Sequence, residues 1–492
     1  MIFAPSRYQR RIFRFMEHGS GHGIVRAVAG GGKTSTLVEV ARRYGRPGLI
    51  VAFNKPIQVE LERRLRGSTM LTRTMHALGY GALLRRLAFS SKSRLYLDES
   101  KYGRLAEEMV ADLGVPESQR LRAARNLRRL AMLARLTLED TQNQGALQAL
   151  CARHGIAVGE ACLPALPEVL SRGMRLARRR HVVDYVDMVY LPLAMKLELD
   201  RYDLVLVDEA QDLSRAQLLL AEASCAAHGR LLFAGDPAQS IYGWAGADHE
   251  SFERIRVYTG ATELALSICY RCPRRVVDLA RRMVPYIEPR PGAPEGVVRD
   301  TRRCRLAGQL GPGDLVLSRT MYPLVRLCIA LMGQKIPARV KGRSVGARIT
   351  SLLARVAARD GFTYSALEEH LIELMEEELA ELRHVGAGEH FVSDVEDLYR
   401  CLIECALSFT ECHSVGELEQ RIAHLFAGRA EAVILSTVHR AKGLEADRVF
   451  ILGPEQLGHA PEGSEAWRVQ EERNVKYVAL TRAKRELVFV HA

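Results

Sequence analysis

No apolar run in this 492-residue sequence comes near the roughly 18 residues a membrane span requires, so a transmembrane chain is not expected. The first residues carry Arg7, Arg10, Arg11 and Arg14 but no apolar core leading to a small-residue cleavage site. A secretory leader is therefore not expected, and the default location is cytoplasmic. Cysteine supplies no framework: the 10 thiols run from Cys151 to Cys412 without regular spacing and read as reduced, mostly buried side chains. Cys401, Cys405, Cys412 and His413 cluster loosely, but their intervals fit no zinc or iron–sulfur pattern well. Neither a fixed-period repeat nor a low-complexity tract is visible. Tryptophan occurs only 2 times, and acidic residues are outnumbered, 58 Asp+Glu against 70 Lys+Arg, for a formal charge of +12. That excess suits a polyanionic partner without requiring one.

What is present is an ordinary globular composition, 48% hydrophobic and 26% charged, which argues against disorder. The chain is too long for one compact core and should divide into two or more domains. Short β-rich runs recur between helical patterns: Ile24–Val28, Gly48–Phe53, Asp203–Val207, Leu231–Ala234, Asp314–Ser318, Ala432–Thr437, Val449–Leu452 and Leu487–His491. Apolar strands alternating with helices predict an α/β fold whose parallel sheets are covered on both faces.

Two stretches interrupt the rhythm. Residues 83–181 carry no convincing strand and are basic, with Arg120, Arg122, Arg125, Arg128 and Arg129 above Leu127, Leu130 and Leu133 at helical spacing. Residues 345–428 are also helical but acidic, with Glu368, Glu369, Glu373, Glu376, Glu377, Glu378 and Glu381 crowded together. Both read as helical insertions. The first α/β domain is thus assigned 1–82 and 182–262, and the second 263–344 and 429–492. The basic insertion either faces nucleic acid or is a solvated helical face. The acidic one regulates, binds a protein partner, or is simply solvated.

Ile24–Val28 runs into Ala29-Gly30-Gly31-Gly32-Lys33-Thr34 and then a helical pattern, the context of a phosphate-binding loop. Glycines such as Gly30 and Gly32 let backbone N–H groups approach phosphate oxygens at a helix N-terminus. Lys33 is expected to bridge the β- and γ-phosphates of ATP, and the Thr34 hydroxyl to ligate Mg²⁺. The apolar run 204–207 ends in Asp208-Glu209-Ala210-Gln211-Asp212. That places two carboxylates at the same sheet edge, Asp208 for Mg²⁺ and Glu209 to orient and deprotonate the attacking water. Leu231–Ala234 delivers Gly235-Asp236-Pro237-Ala238-Gln239, and Gln239 can reach the γ-phosphate and that water. Tyr242 and Trp244 follow within a few residues. Their rings suit either base stacking or core packing.

With these motifs in order, the chain resembles the superfamily 1 helicases of the UvrD/Rep/PcrA type, in wording closest to their F-box-helicase-like branch. Pro5-Ser6-Arg7-Tyr8-Gln9 resembles the Q motif, which implies that Gln9 reads adenine. Ala52-Phe53-Asn54-Lys55 and Thr72-Arg73-Thr74-Met75-His76 resemble motifs Ia and Ib, implying DNA contact by Phe53, Asn54, Thr74 and His76. Cys269-Tyr270-Arg271-Cys272 resembles motif IV, with Tyr270 stacking on adenine and Arg271 meeting the γ-phosphate. Ser318-Arg319-Thr320 opens a segment like motif IVa. Residues 437–445 look like motif V, which puts His439 and Lys442 toward DNA and Glu445 toward ribose. Residues 471–483 resemble motif VI, with Arg482 as arginine finger.

The resemblance implies two RecA-like P-loop domains, each carrying a helical insertion, ATP and Mg²⁺ in the cleft between them, and 3′→5′ movement. Its partners are single-stranded DNA and duplex junctions, with no membrane. The chain departs from the family at Ser35, where relatives carry Arg, and at Ala245, where an Arg is common. Both insertions look shorter than in the large repair helicases, and no nuclease signature is seen. Three readings stay open beside a helicase: a translocase that strips proteins without unwinding, a nucleic-acid-responsive ATPase subunit of a larger assembly such as an antiphage system, and RNA as the track.

Overall fold

A computed structural model describes every residue except 1–3, 88–93, 160–161, 242, 244–250, 385–388, 428–430 and 461–463. The chain forms two compact units, Met1–Ser267 and Ile268–Ala492. Among the described residues no helix is long and apolar enough to cross a membrane.

The first unit opens with α1 (Arg7–His18), then β1 (Gly23–Ala27), α2 (Lys33–Tyr44), β2 (Gly48–Ala52), α3 (Lys55–Arg64), β3 (Met70–Thr74) and α4 (Met75–Leu87). The basic stretch follows as β4 (Tyr96–Leu97), α5 (Lys101–Asp112), α6 (Glu117–Thr137), α7 (Gln144–His154), α8 (Leu166–Arg180) and β5 (Val182–Val183). The α/β rhythm resumes with α9 (Tyr185–Ala194), β6 (Tyr202–Val207), α10 (Arg215–Ala223), β7 (Cys225–Gly235), α11 (Ser251–Thr259) and β8 (Thr262–Leu266).

Six strands make one parallel sheet in the order β3-β2-β6-β7-β1-β8. Side chains alternate across it with the period of two that a strand dictates. Ile50, Leu204, Leu206, Leu232 and Val25 enter one core, while Leu49, Val51, Val205, Val207, Phe233 and Ile24 enter the other. The central strands β2, β6 and β7 carry apolar residues on both sides over the stretch where both faces are covered.

Leu127, Leu130 and Leu133 are fully buried in a separate core formed by α5–α8. The expectation of a stretch without strands needs one amendment: Tyr96–Leu97 pairs in parallel with Val182–Val183. Two residues are too few for periodicity to register.

A buried ionic knot ties these helices to α9. Arg135 donates to Asp184 through both terminal nitrogens at 2.8 Å and to Asp187 at 2.9 Å. Lys101 Nζ lies 2.5 Å from Asp187, Tyr102 donates to Asp187 at 3.1 Å, and the Arg135 guanidinium stacks 3.6 Å over the Tyr102 ring. Burial lowers the Lys101 pKa in spite of Asp187 and drives that of Tyr102 upward. Removing one partner of such a set leaves uncompensated buried charge. Arg135→Ala should therefore cost about 3–5 kcal/mol in urea unfolding. An unchanged midpoint would mean that the knot contributes nothing to stability.

The second unit comprises β9 (Ile268–Cys269), α12 (Arg274–Arg281), β10 (Glu288–Pro289), β11 (Val297–Arg302), β12 (Leu315–Ser318), α13 (Tyr322–Gly333) and β13 (Ala338–Val340). The helices α14 (Arg343–Ala357), α15 (Leu367–His384), α16 (Glu389–Ser408) and α17 (Val415–Ala427) form the acidic stretch. Then come β14 (Val433–Thr437), β15 (Ala446–Leu452), α18 (Ala466–Leu480) and β16 (Ala483–His491). The sheet order is β11-β16-β15-β12-β14-β13, again with parallel neighbours.

The acidic helices share one core with this sheet: Val316, Leu435, Phe450 and Val488 pack with Ile349, Leu353, Leu402 and Ile422. Asp397 of α16 also accepts from the backbone N–H groups of Met321 and Tyr322, at 2.7 and 2.9 Å, at the start of α13. Most glutamates of α15 face solvent, and Glu377 and Glu378 pair with Arg359 and Arg355. The α/β class with two parallel sheets is as the sequence implied.

Candidate functional site

All strands of a parallel sheet deliver their C-terminal ends to one edge, and in the first unit that edge collects the chemistry. β1 leads into the loop 28–32, where Gly30 and Gly32 adopt φ of 64° and 80°, left-handed values that a side chain would strain. Helix α2 then begins at Lys33. Lys33 Nζ donates to Glu209 Oε2 at 2.8 Å, and Thr34 Oγ1 donates to Asp208 Oδ2 at 2.8 Å. Two segments some 175 residues apart in sequence thus meet side by side.

Burial pushes the Asp208 carboxyl up to about 6, with the Glu209 charge adding to it and Lys33 opposing. Burial likewise raises Asp236, again against Lys33. Burial alone would lower Lys33, but Glu209, Asp208 and Asp236 together outweigh it and raise its pKa. Lys33 is therefore a firmly held cation in a nest of three carboxylates.

Glu209 itself sits at φ 55°, ψ 41°. A non-glycine residue in that region stores on the order of 1–3 kcal/mol of strain, a pattern that collects at functional sites. The conformation is held by Asp208, whose Oδ1 accepts the Glu209 N–H at 2.9 Å, and by Gln211, whose Nε2 donates to Glu209 Oε2 at 2.6 Å. Gln211 Oε1 in turn accepts from Asp236 N at 3.0 Å, and Gln239 Nε2 donates to Asp236 Oδ2 at 2.6 Å. The sequence reading placed Gln239 here but gave no role to Gln211 or Asp236, although both lie inside the motifs it singled out.

Gln9 is buried, completes a capping box with Ser6 and donates to Thr36 Oγ1 at 3.0 Å, beside the first turn of α2. At Ser35, Arg64 of α3 donates to the hydroxyl at 2.8 Å. Phe53 is 38% exposed just beyond β2. Asn54 and Thr74 spend their side-chain oxygens on backbone N–H groups of Ile57 (3.0 Å) and Ala77 (3.2 Å), so both also act as caps. His76 packs edge-on against Tyr185, 5.9 Å between centroids, and burial lowers its pKa. Tyr185, 47% exposed, went unnoticed in the sequence because nothing in its spacing marks it. Tyr242 and Trp244 lie outside the described residues.

In the second unit Arg271 Nε donates to Glu445 Oε2 at 2.6 Å and NH1 to the Thr481 carbonyl at 3.2 Å. Lys484 Nζ lies 2.5 Å from Glu445 Oε1. Burial would raise the Glu445 pKa, but Lys484 and Arg271 overcome it and lower it. Tyr270 is 40% exposed. Arg482 is buried, donating to Val478 O at 2.8 Å, to Thr481 Oγ1 at 3.1 Å and to Leu444 O at 3.3 Å. Arg271, Glu445 and Arg482 are thereby gathered around Thr481. Burial pushes His439 down to about 3, with Arg319 and Lys442 adding repulsion, so its imidazole is neutral at pH 7. Arg319 is fixed by Glu472 at 2.6 Å. Lys484 had no signal in the sequence.

Residues 9–257 match the family model of the UvrD/REP helicase N-terminal domain, and residues 355–492 that of the UvrD-like helicase C-terminal domain. The chain belongs to the UvrD/REP helicase family. Among curated UvrD/REP relatives it is similar to F-box DNA helicase protein 1 of Schizosaccharomyces pombe, 26% identical over 94% of this chain and 55% of that one. DNA helicase II of Haemophilus influenzae is 23% identical over 61% of this chain and 56% of its own length. UvrD2 of Mycobacterium bovis, described as an ATP-dependent DNA helicase, is 27% identical over 58% of this chain and 47% of its own. The chain spans about half the length of these UvrD/REP helicases.

Proposed function

We propose that the chain is an ATP-driven DNA motor that moves 3′→5′ along single-stranded DNA and separates duplex strands at junctions. The observation that carries this reading is the joining of Lys33 to Glu209 and of Thr34 to Asp208 at one sheet edge. A γ-phosphate competes with Glu209 for the Lys33 ammonium, which frees the carboxylate to hold and deprotonate water. Gln239, braced by Asp236, orients that water.

The Thr34 hydroxyl and Asp208 carboxylate, hard oxygens 2.8 Å apart, fit Mg²⁺, which when bound neutralises phosphate charge. Gln9 lies beside the first turn of α2, where the adenine side of a nucleotide would be read. In this reading the second unit supplies Arg271 and Arg482 to the triphosphate, Tyr270 stacks on the base, and Glu445 receives the ribose. The division into two RecA-like domains, 1–82 with 182–262 and 263–344 with 429–492, belongs to the same proposal. Turnover then requires both units, and hydrolysis drives their relative motion.

Phe53, Asn54, Thr74 and His76 line the sheet edge that would receive the strand, with Tyr185 beside His76 as a further stacking surface. Tyr242, Trp244, His439 and Lys442 complete the proposed DNA contacts. Stacking on aromatic rings contributes about 1–3 kcal/mol per base, comparable to opening one base-pair step.

The test is ATP turnover with single-stranded DNA, duplex DNA and RNA over a salt series, together with strand displacement on a 3′-tailed duplex. Strong single-strand stimulation that weakens steeply with salt, plus displacement, is the expected result. Stimulation without displacement leaves a translocase. Turnover indifferent to nucleic acid removes the motor reading. Trp244→Ala should lower single-strand-stimulated turnover several-fold more than basal turnover, and equal loss of both would assign the ring to packing.

A further inference from the structure

Tyr270 and Arg271 are bracketed by two cysteines, and the fold brings that pair together. Cys269 ends β9, held there by parallel pairing with Pro289 and by Arg290 N donating to its carbonyl at 3.1 Å. The chain then turns so that Cys272 N donates to Cys269 Sγ at 3.4 Å. Cys272 Sγ lies 3.6 Å from the Thr481 carbonyl, the same oxygen that accepts from Arg271 at 3.2 Å. The Cys272 thiol and the arginine therefore share one acceptor, next in sequence to Arg482.

The electrostatics distinguish this pair from the other cysteines. Burial pushes Cys151 and Cys225 up to about 11, and Cys328 and Cys405 up to about 12. Cys269 goes the other way, to about 7. The Cys272 thiol donates to it, more than offsetting burial, and the backbone N–H groups of Cys272 and Arg271 and the Arg271 charge add to the effect. Cys272, as donor, is driven up. Cys269 is thus the more acidic sulfur and Cys272 the thiol that donates to it, the division of roles that thiol exchange uses. A metal does not explain the pair, since among the described residues no group of three or more His, Cys, Asp or Glu is placed to hold one.

We infer that Cys269 and Cys272 form an oxidisable dithiol, and that their disulfide disengages Arg271 and slows ATP turnover. The oxidant is a low-molecular-weight disulfide. The Cys269 thiolate attacks one of its sulfurs, forming a mixed disulfide and expelling one small thiolate. Cys272 gives up its proton, attacks the Cys269 sulfur and expels the second. Two protein thiols are oxidised by two electrons, and the small disulfide is reduced to two thiols, which carry the protons. The new bond draws the sulfurs to about 2 Å. It also draws the Cys272 sulfur off the Thr481 carbonyl, 3.6 Å away in the reduced chain, and shifts the turn that carries Arg271 to that same oxygen. Both sulfurs are buried, which makes the exchange slow.

The effect on turnover rests on the proposed ATPase, whereas the bond itself does not, and the experiment reads the two separately. The full chain is incubated with excess oxidised glutathione at pH 7.5, denatured, alkylated and mapped by peptide mass. The expected product is an internal 269–272 link, lighter by two hydrogens, with turnover lowered by about tenfold or more and restored by dithiothreitol. Cys272→Ser should instead trap glutathione on Cys269. Adducts confined to the exposed Cys304, with Cys269 and Cys272 still alkylatable, overturn the inference. So does an internal disulfide that leaves turnover unchanged. A reduced chain that never hydrolyses ATP sinks the motor reading, while the mass map still decides whether the dithiol exists.

Discussion

Glu209→Gln should bind ATP within a few-fold of the unaltered chain while turning it over about 10²–10⁴-fold more slowly, the range lost with a general base. The amide matches the carboxylate in shape, so the left-handed backbone at this position and the contact with Gln211 can persist. What disappears is the capacity to take a proton from water and the negative charge 2.8 Å from Lys33. Asp208 and Asp236 still face that lysine, so its ammonium stays charged and available to phosphate. A loss in turnover with little change in binding is the signature of a group that acts in the transition state. Binding is read with a fluorescent ATP analogue and turnover by phosphate release. Ordinary turnover in this variant would remove Glu209 from the chemistry, and loss of both would make it a structural partner of Lys33.

The parts of this site that were legible in the sequence are those in which a backbone requirement and a side chain coincide. The glycines of 30–32 announce a turn that only they adopt, and the apolar run 204–207 announces a buried strand with carboxylates at its end. The central strands were visible because burial on both faces makes them apolar throughout. The strands that went unread are mostly peripheral: β3, β8 and β11 occupy sheet edges, where side chains are partly solvated and the apolar signal is diluted, and the edge strand β13 has only 3 residues. Side chains that act by reaching across the fold were equally silent. Gln211 bridges Glu209 to Asp236 just beyond β7, Lys484 pairs with Glu445, and Arg64 meets Ser35, yet none belongs to a spacing pattern. Tertiary proximity assigns them, and periodicity carries no information about it.

Arg482→Lys should lower turnover by about 10³–10⁵-fold, the worth of an arginine that stabilises charge on a phosphoryl group in flight, with a far smaller change in the ATP concentration for half-maximal rate. Charge is preserved, so the loss measures geometry. The guanidinium spreads donors over Val478 O, Thr481 Oγ1 and Leu444 O, which one ammonium cannot span. The same substitution leaves buried acceptors without donors, at roughly 1–3 kcal/mol of stability, so folding must be separated from chemistry. Turnover is therefore compared well below the unfolding midpoint of the variant. If Arg482 only braces α18, the rate there returns to nearly that of the unaltered chain, because almost every molecule is folded. A deficit that persists there assigns Arg482 to the reaction. Thr481 accepts Arg271 on its carbonyl and Arg482 on its hydroxyl, so the two arginines share one anchor. The double variant Arg271→Lys with Arg482→Lys should accordingly lose much less than the product of the single losses, and strictly multiplicative losses would mean that the two guanidinium groups act independently.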